Sequence, residues 1–329
     1  MILNMFISYT DASVRGVGRW GVLNNCLTAT ASGSKLEVAF SGNEILLHFN
    51  IQWCQPPMPH LWMQLDHGPR FEVPLDRYLR IESTPGFHFL SIILKGEVEQ
   101  QHRWNLPLVA KLSFEGYEAD GAGVLPENHR PTIELIGDSI TEGVLVDASY
   151  QVDRTEDQYN RPYQDDATAT YAYKAALMLG LEPLCGSYGA VGVTHGGCGG
   201  VPDAVSAYPY CFSGVPTTYA SPDYVLINHG TNDSWGDCPQ RYTACYTQLL
   251  DTIYARHPHT QVIALVPFCG ACRQQLLALI PTYNQEHNKA IFLIDTEGWL
   301  PLEPIHPLRE GHELAANRLA AILKERFKL

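Results

Sequence analysis

The sequence predicts a two-part chain: an N-terminal β-sandwich followed by an α/β three-layer sandwich built on a parallel sheet. Three observations predict it. In the first third, short apolar runs follow one another closely with little helical periodicity between them. Beyond residue 131, apolar runs alternate with helix-like segments, the rhythm of a parallel sheet covered on both faces. Between the two lies "DGAGVLPENHRP", residues 120–131, rich in Gly, Pro and polar residues. The boundary is expected there, with residues 1–125 as the β-sandwich and 126–329 as the α/β part.

In the first part "KLEVAF" and "EILLHFN" read as strands, with "SGN" as the hairpin turn between them. "LWMQLDHGPRFEVPL" repeats the pattern around Asp66-His67-Gly68, and "HFLSIILKG" and "LVAKLSFEGY" follow. In the second part the strands are "TIELIG", "LEPLCGSY", "DYVLINHG", "QVIALVPF" and "AIFLID". The helices are "ATATYAYKAALMLG", "PQRYTACYTQLLDTIYARH", "CRQQLLALIPTYNQEHN" and "EGHELAANRLAAILKERF". Residues 146–166, acidic and polar, and 195–222, rich in Gly, Pro and Tyr, break this rhythm and read as long loops near a site.

The bulk numbers exclude several classes. The formal net charge is −13, from 35 acidic and 22 basic residues among 329. A phosphate backbone or an anionic membrane surface is repelled by that balance, so neither nucleic acid nor membrane is an expected partner. An uncharged small molecule is compatible with it. The N-terminus does not read as a signal peptide, and no apolar run is long enough to cross a bilayer. Nine cysteines, an odd number, fit reduced thiols in a cytoplasm better than a disulfide framework. Cys269 and Cys272 form one C-x-x-C with no second pair to complete a metal site. No signal for an oligomeric state is present.

Chemistry gathers at the ends of the strands of the second part, where parallel sheets bind ligands. "IELIGDSITEG" ends a buried run on Gly137-Asp138-Ser139. Ser139 is either the N-cap of a strand-to-helix turn or a nucleophile held at the strand tip. A serine hydroxyl needs a base to take its proton, and the tetrahedral intermediate needs donors for its oxyanion. His306, just before the last helix, is the candidate base, and Glu303 lies three residues earlier, near enough to hold the imidazole tautomer. Gly192 and Asn232, each at a strand end, are the candidate oxyanion donors beside the N–H of Ser139 itself. Each piece alone is weak; all of them are placed to meet at one edge of the sheet.

These blocks resemble the SGNH hydrolases, the GDSL-type lipase and esterase superfamily. "GDSITEG" matches the first block with Ser139 as nucleophile, "SYGAVG" the second with Gly192 at the oxyanion glycine, "GTND" the third with Asn232, and "EPIHP" the fifth with His306 as base. Ser187 stands where the family usually has Asn, and Glu303 where it has Asp. "GRW" at 18–20, the β-rich segment and the run "FEGYEADGAGVLPE" into the first block look most like carbohydrate esterase family 2. That resemblance implies a jelly roll before a flavodoxin-like hydrolase domain, an acetylated sugar such as an acetylated xylo-oligosaccharide as substrate, and no metal or organic cofactor. A lipase or thioesterase on the same scaffold, or a carbohydrate-binding protein that has lost activity, are the rival readings.

Other residues carry weaker signals. Asp138 more readily bonds the backbone of its turn than acts as a catalytic carboxylate. His229 and Trp235 are possible substrate contacts, set against a structural histidine and a core-packing tryptophan. His195 and Cys198 hint at a metal, but their spacing fits no standard site. His312 reads as exposed or capping on the last helix.

Overall fold

The computed structural model describes residues 5–148, 161–235 and 239–329, apart from the side chains of Trp235 and Pro239. The N-terminal part is a ten-stranded, wholly antiparallel sheet running in sequence from Met5 to Ala122. Its spine is the pair Lys35–Phe49 and Tyr78–Gly96, registered from Lys35 opposite Ile93 to His48 opposite Tyr78. The expected hairpin at "SGN" is not formed. "KLEVAF" and "EILLHFN" are one 15-residue strand with a register shift between Gly42 and Glu44. The physical reason is visible in the burial: Leu36, Val38 and Phe40 point inward before the bulge, and Ile45, Leu47 and Phe49 after it. One extra residue switches the parity, so a single strand keeps its apolar face on the core.

The second expected turn is real. Strands His60–Leu65 and Phe71–Pro74 pair antiparallel, and Asp66 and His67 take φ of 50° and 60° with Gly68 N–H closing on Leu65 O. Leu90, Ile92, Leu94, Leu112, Phe114 and Tyr117 complete the core between the two sides of this folded sheet.

The second part is a five-stranded parallel sheet in the order Glu182–Cys185, Thr132–Gly137, Tyr224–Asn228, Gln261–Leu265, Phe292–Ile294. By chain order that is 2-1-3-4-5, the flavodoxin-like winding. Strand residues alternate between two cores. Leu226, Ile263 and Leu265 pack with helices Tyr171–Met178 and Arg309–Phe327 on one face. Val225, Ile227, Val262 and Ala264 pack with Pro239–Arg256 and Arg273–His287 on the other. Both faces are covered, which is why these strands read as unbroken apolar runs. Residues 195–222 are structured, holding a helical turn at Ala204–Ala207 and a small hairpin of Tyr210–Phe212 with Val215–Pro216. Of the loop expected over 146–166, residues 149–160 lie outside the described residues, and Arg161–Gln164 form one helical turn. Among the described residues no helix is long and apolar enough to cross a membrane.

Buried ion pairs join the two parts. Arg19, from "GRW", is 1% exposed and donates from Nη2 to Glu134 Oε1 at 2.9 Å, on the strand that leads to Ser139. Glu134, fully buried, also accepts from the hydroxyls of Tyr208 (2.8 Å) and Tyr219. Lys35 reaches Glu182 on the edge strand at 2.6 Å. Removing the guanidinium leaves a buried carboxylate with hydroxyl partners only, so Arg19→Met should destabilise the protein by about 3–5 kcal/mol. Equilibrium denaturation followed by circular dichroism checks it; a loss below about 1 kcal/mol would mean that water reaches Glu134.

Candidate active site

The strand Thr132–Gly137 ends on a single helical turn, Ser139–Glu142, and this turn sets the serine. Asp138, not Ser139, is its N-cap: Asp138 Oδ1 accepts from Ile140 N–H at 3.0 Å. Freed from capping, the hydroxyl of Ser139 meets Nε2 of His306 at 2.7 Å across 167 residues of chain. Ser139 is 6% exposed and His306 is half-buried, so the pair sits at the protein surface under partial cover. Asp138 is 1% exposed, and burial pushes its carboxyl up to about 7, against the Ile140 N–H and the Thr231 side chain, whose bonds hold it down.

The turn that carries Ser139 is braced by a chain of hydrogen bonds. Thr141 Oγ1 lies 3.0 Å from Tyr171 OH, which accepts from Asn228 Nδ2 at 2.8 Å. Tyr171 N–H in turn donates to Nδ1 of His312 at 3.1 Å. His312 is therefore not exposed, as its place on a polar helix suggested, and what it satisfies is the first N–H of the neighbouring helix Tyr171–Met178. It is fully buried, burial lowers its pKa to about 3, and an Nδ1 that accepts puts the proton on Nε2.

The second block curls around a carboxylate that the sequence did not reveal. Asp233 accepts from Val193 N–H (3.1 Å), Thr194 N–H (2.8 Å) and Thr194 Oγ1 (2.6 Å). A Cβ at Gly192 would stand 2.6 Å from Asp233 Oδ1, so only glycine fits there. Gly192 N–H donates to His195 O at 3.1 Å, so the expected oxyanion donor is turned onto its own loop. Asn232 Nδ2 lies 3.4 Å from Asp138 Oδ2 and 3.3 Å from Val191 O, two long bonds that bring the amide beside the residue preceding Ser139. Ser187, in place of the family's Asn, is buried and bonds Leu135 O at 3.1 Å, tying the loop to the nucleophile strand.

The remaining candidates fall out as follows. Glu303 is exposed and lines a surface pocket with Leu300, Pro304, Leu308 and Leu314. His229 is 1% exposed, and burial lowers its pKa to about 4, the environment of a core histidine and not of a surface contact. The side chain of Trp235 lies outside the described residues. His195 is exposed, with Nε2 at 3.3 Å from Asn232 O and Nδ1 at 2.8 Å from Gly196 O. Among the described residues no three His, Cys, Asp or Glu side chains are grouped to hold a metal ion. Sequence reasoning also missed Glu142 and its partner Arg103. Glu142 stands in plain view in "GDSITEG", but nothing local points to an arginine 39 residues away.

Comparison with known proteins follows this geometry. The fold matches the structure of a family two carbohydrate esterase from Cellvibrio japonicus with a TM-score of 0.79 at 18% identity, covering 99% of this chain and 98% of that one. It matches an acetyl xylan esterase of the rumen bacterium Butyrivibrio proteoclasticus equally, with a TM-score of 0.79 at 18% identity over 99% of both chains. A family two carbohydrate esterase from Clostridium thermocellum in complex with cellohexaose matches with a TM-score of 0.78 at 21% identity, over 96% of this chain and 99% of that one. At these identities the likeness speaks for the fold, in both of its parts. Among curated proteins none matches the chain. The model of the GDSL-like Lipase/Acylhydrolase family matches residues 135–318, more than half of the chain. That stretch takes in Ser139, Gly192, Asn232 and His306, and the chain belongs to this family of carboxylic ester hydrolases.

Proposed function

We propose that the protein is a serine esterase that removes acetyl groups from carbohydrates such as acetylated xylo-oligosaccharides. The observation that carries the reading is the 2.7 Å bond from Ser139 Oγ to His306 Nε2 at the end of the central strand. His306 takes the hydroxyl proton as Ser139 attacks the ester carbonyl, and an acyl-enzyme forms as the sugar alcohol leaves with that proton. Water, activated by the same imidazole, releases acetate and restores the serine. Asn232, Gly192 and the N–H of Ser139 are the donors proposed for the oxyanion. The carbohydrate part of the reading is supported by the fold shared with family two carbohydrate esterases over nearly the whole chain. The division at 125/126, the jelly roll on one side and the hydrolase on the other, is proposed on the same ground. A cytoplasmic setting is proposed from the thiol reading; the eight described cysteines are all free.

The test is acetate release from acetylated xylo-oligosaccharides, which Ser139→Ala should lower by several orders of magnitude in a protein that still folds. Full activity in that variant would remove the serine mechanism; a parent active only on long-chain acyl esters would favour the lipase reading. Asn232→Ala should lower kcat roughly a hundredfold or more with little change in KM, since the amide bond strengthens only as charge develops. An effect confined to KM would make Asn232 a ground-state contact.

Glu303 is the third-member candidate. Its carboxylate is exposed, where water screens its field on the imidazole. We therefore expect Glu303→Gln to stay within about tenfold of the parent in kcat, below the usual worth of general-base support. A hundredfold fall would make the unit a triad.

A further inference from the structure

The nucleophile turn cannot hold itself. Ser139–Glu142 is four residues long, closed by Glu142 N–H to Asp138 O (2.9 Å) and Gly143 N–H to Ser139 O (3.0 Å). One turn fixes several dihedrals for one or two bonds and is unstable alone. What clamps its C-terminal end comes from the other part of the chain. Arg103, fully buried, forks onto Glu142: Nη2 to Oε2 at 3.0 Å and Nη1 to Oε1. Ser32 Oγ adds a bond to Glu142 Oε1 at 3.2 Å.

The same arginine grips the second block. Its backbone N–H donates to Gly199 O at 3.0 Å, and Cys198 N–H donates to Gly189 O at 2.9 Å, so the Cys198–Gly200 turn is pinned between Arg103 and the loop that ends at Gly192. Gly199 has φ +66°, and a Cβ there would stand 2.8 Å from Arg103 Cγ, so the approach is as close as glycine permits. The guanidinium also lies 5.2 Å from the ring centre of Tyr188, in the same block.

We propose that the Arg103 side chain is a positioning residue for the esterase reaction, holding Ser139 through Glu142 and packing its guanidinium on Tyr188 of the second block. The inference rests on the serine-esterase reading above. A second acid, Glu97, shares the cation: its Oε1 accepts from Arg103 Nη1 at 3.0 Å. Burial pushes the Glu97 carboxyl up to about 7, and Glu142 is the partner that meets the guanidinium with both of its oxygens. The fork geometry matters, because a lysine offers a point charge and cannot meet both carboxylate oxygens in one plane.

Two variants test it on 4-nitrophenyl acetate: Arg103→Lys and Glu142→Gln, singly and together. Each keeps most of the buried volume, and circular dichroism with a thermal melt monitors the fold. The expected result is a loss of about ten- to a hundredfold in kcat for each, with KM within about twofold, because small misplacements of reacting groups act on the chemical step. The double variant should be no worse than the poorer single one, as expected for one unit. Folded variants with kcat within twofold of the parent, a loss confined to KM, or losses that multiply in the double variant would each overturn the proposal. So would variants that lose the fold outright, which would make the pair a stability element. Failure of Ser139→Ala to abolish activity would strike the esterase reading instead, and the two failures are read in different proteins.

Discussion

Arg19 and Arg103 are guanidiniums with essentially no exposure, and a guanidinium cannot shed its proton to escape burial. Each needs a carboxylate, and each finds it across the join: Arg19 on Glu134, Arg103 on Glu142. The two carboxylates flank Ser139, five residues before it and three after it. Separating the N-terminal sheet from the hydrolase part would take Glu134 and Glu142 from their guanidiniums and Arg19 from its carboxylate, and would leave Arg103 with Glu97 alone. The architecture is therefore better understood as one catalytic body with a β-rich half than as an enzyme with an appended module. Such pairs often add little net stability against apolar replacements, but breaking one partner is costly, so they enforce the relative placement of the halves.

What was legible in the sequence follows from what is local. The five parallel strands were readable because their apolar runs are short, β-branched and separated by helix-length segments. Ser139 and His306 were readable because a serine ending a strand and a histidine before a last helix have few structural excuses when they occur together. The hairpin expected at "SGN" failed because a glycine flanked by polar residues signals a turn and a bulge alike; only the parity of Leu36, Val38 and Phe40 against Ile45, Leu47 and Phe49 distinguishes them. His312 was misjudged because a polar helix neighbourhood does not reveal which face a histidine takes. Asp233 and Arg103 were invisible because their partners lie 39–40 and 39 residues away in chain order, and no local pattern encodes such pairings.

The bracing around Ser139 uses different physics on each side. Below, the Thr141–Tyr171–Asn228 bonds and His312 form a neutral network, with burial holding His312 uncharged. On the other side an ion pair, the Arg103–Glu142 fork, holds the end of the turn, and the Asp138 cap holds its start. A neutral floor keeps the turn from being pulled by titration beneath it, while the charged side fixes direction, since bidentate carboxylate–guanidinium bonds are more directional than point contacts.

Asn232 and Asp233 show how adjacent residues divide the oxyanion region. The carboxylate of Asp233 takes up the N–H groups of Val193 and Thr194, so those donors are committed to holding the loop. Of the donors proposed for the oxyanion, the Asn232 amide is held by bonds of 3.3 and 3.4 Å beside Asp138, and Gly192 N–H is turned onto the carbonyl of His195 at 3.1 Å. The two Asn232 bonds are longer than the usual range, whereas the Gly192 bond is of ordinary length. A developing oxyanion is a charged acceptor and draws shorter bonds of about twice the strength. In the proposed mechanism it competes well against the long bonds of the Asn232 amide to Val191 O and Asp138 Oδ2, whereas an ester carbonyl in the ground state does not. Donors that are lightly engaged at rest favour the transition state over the substrate, which is the condition for raising kcat without tightening binding.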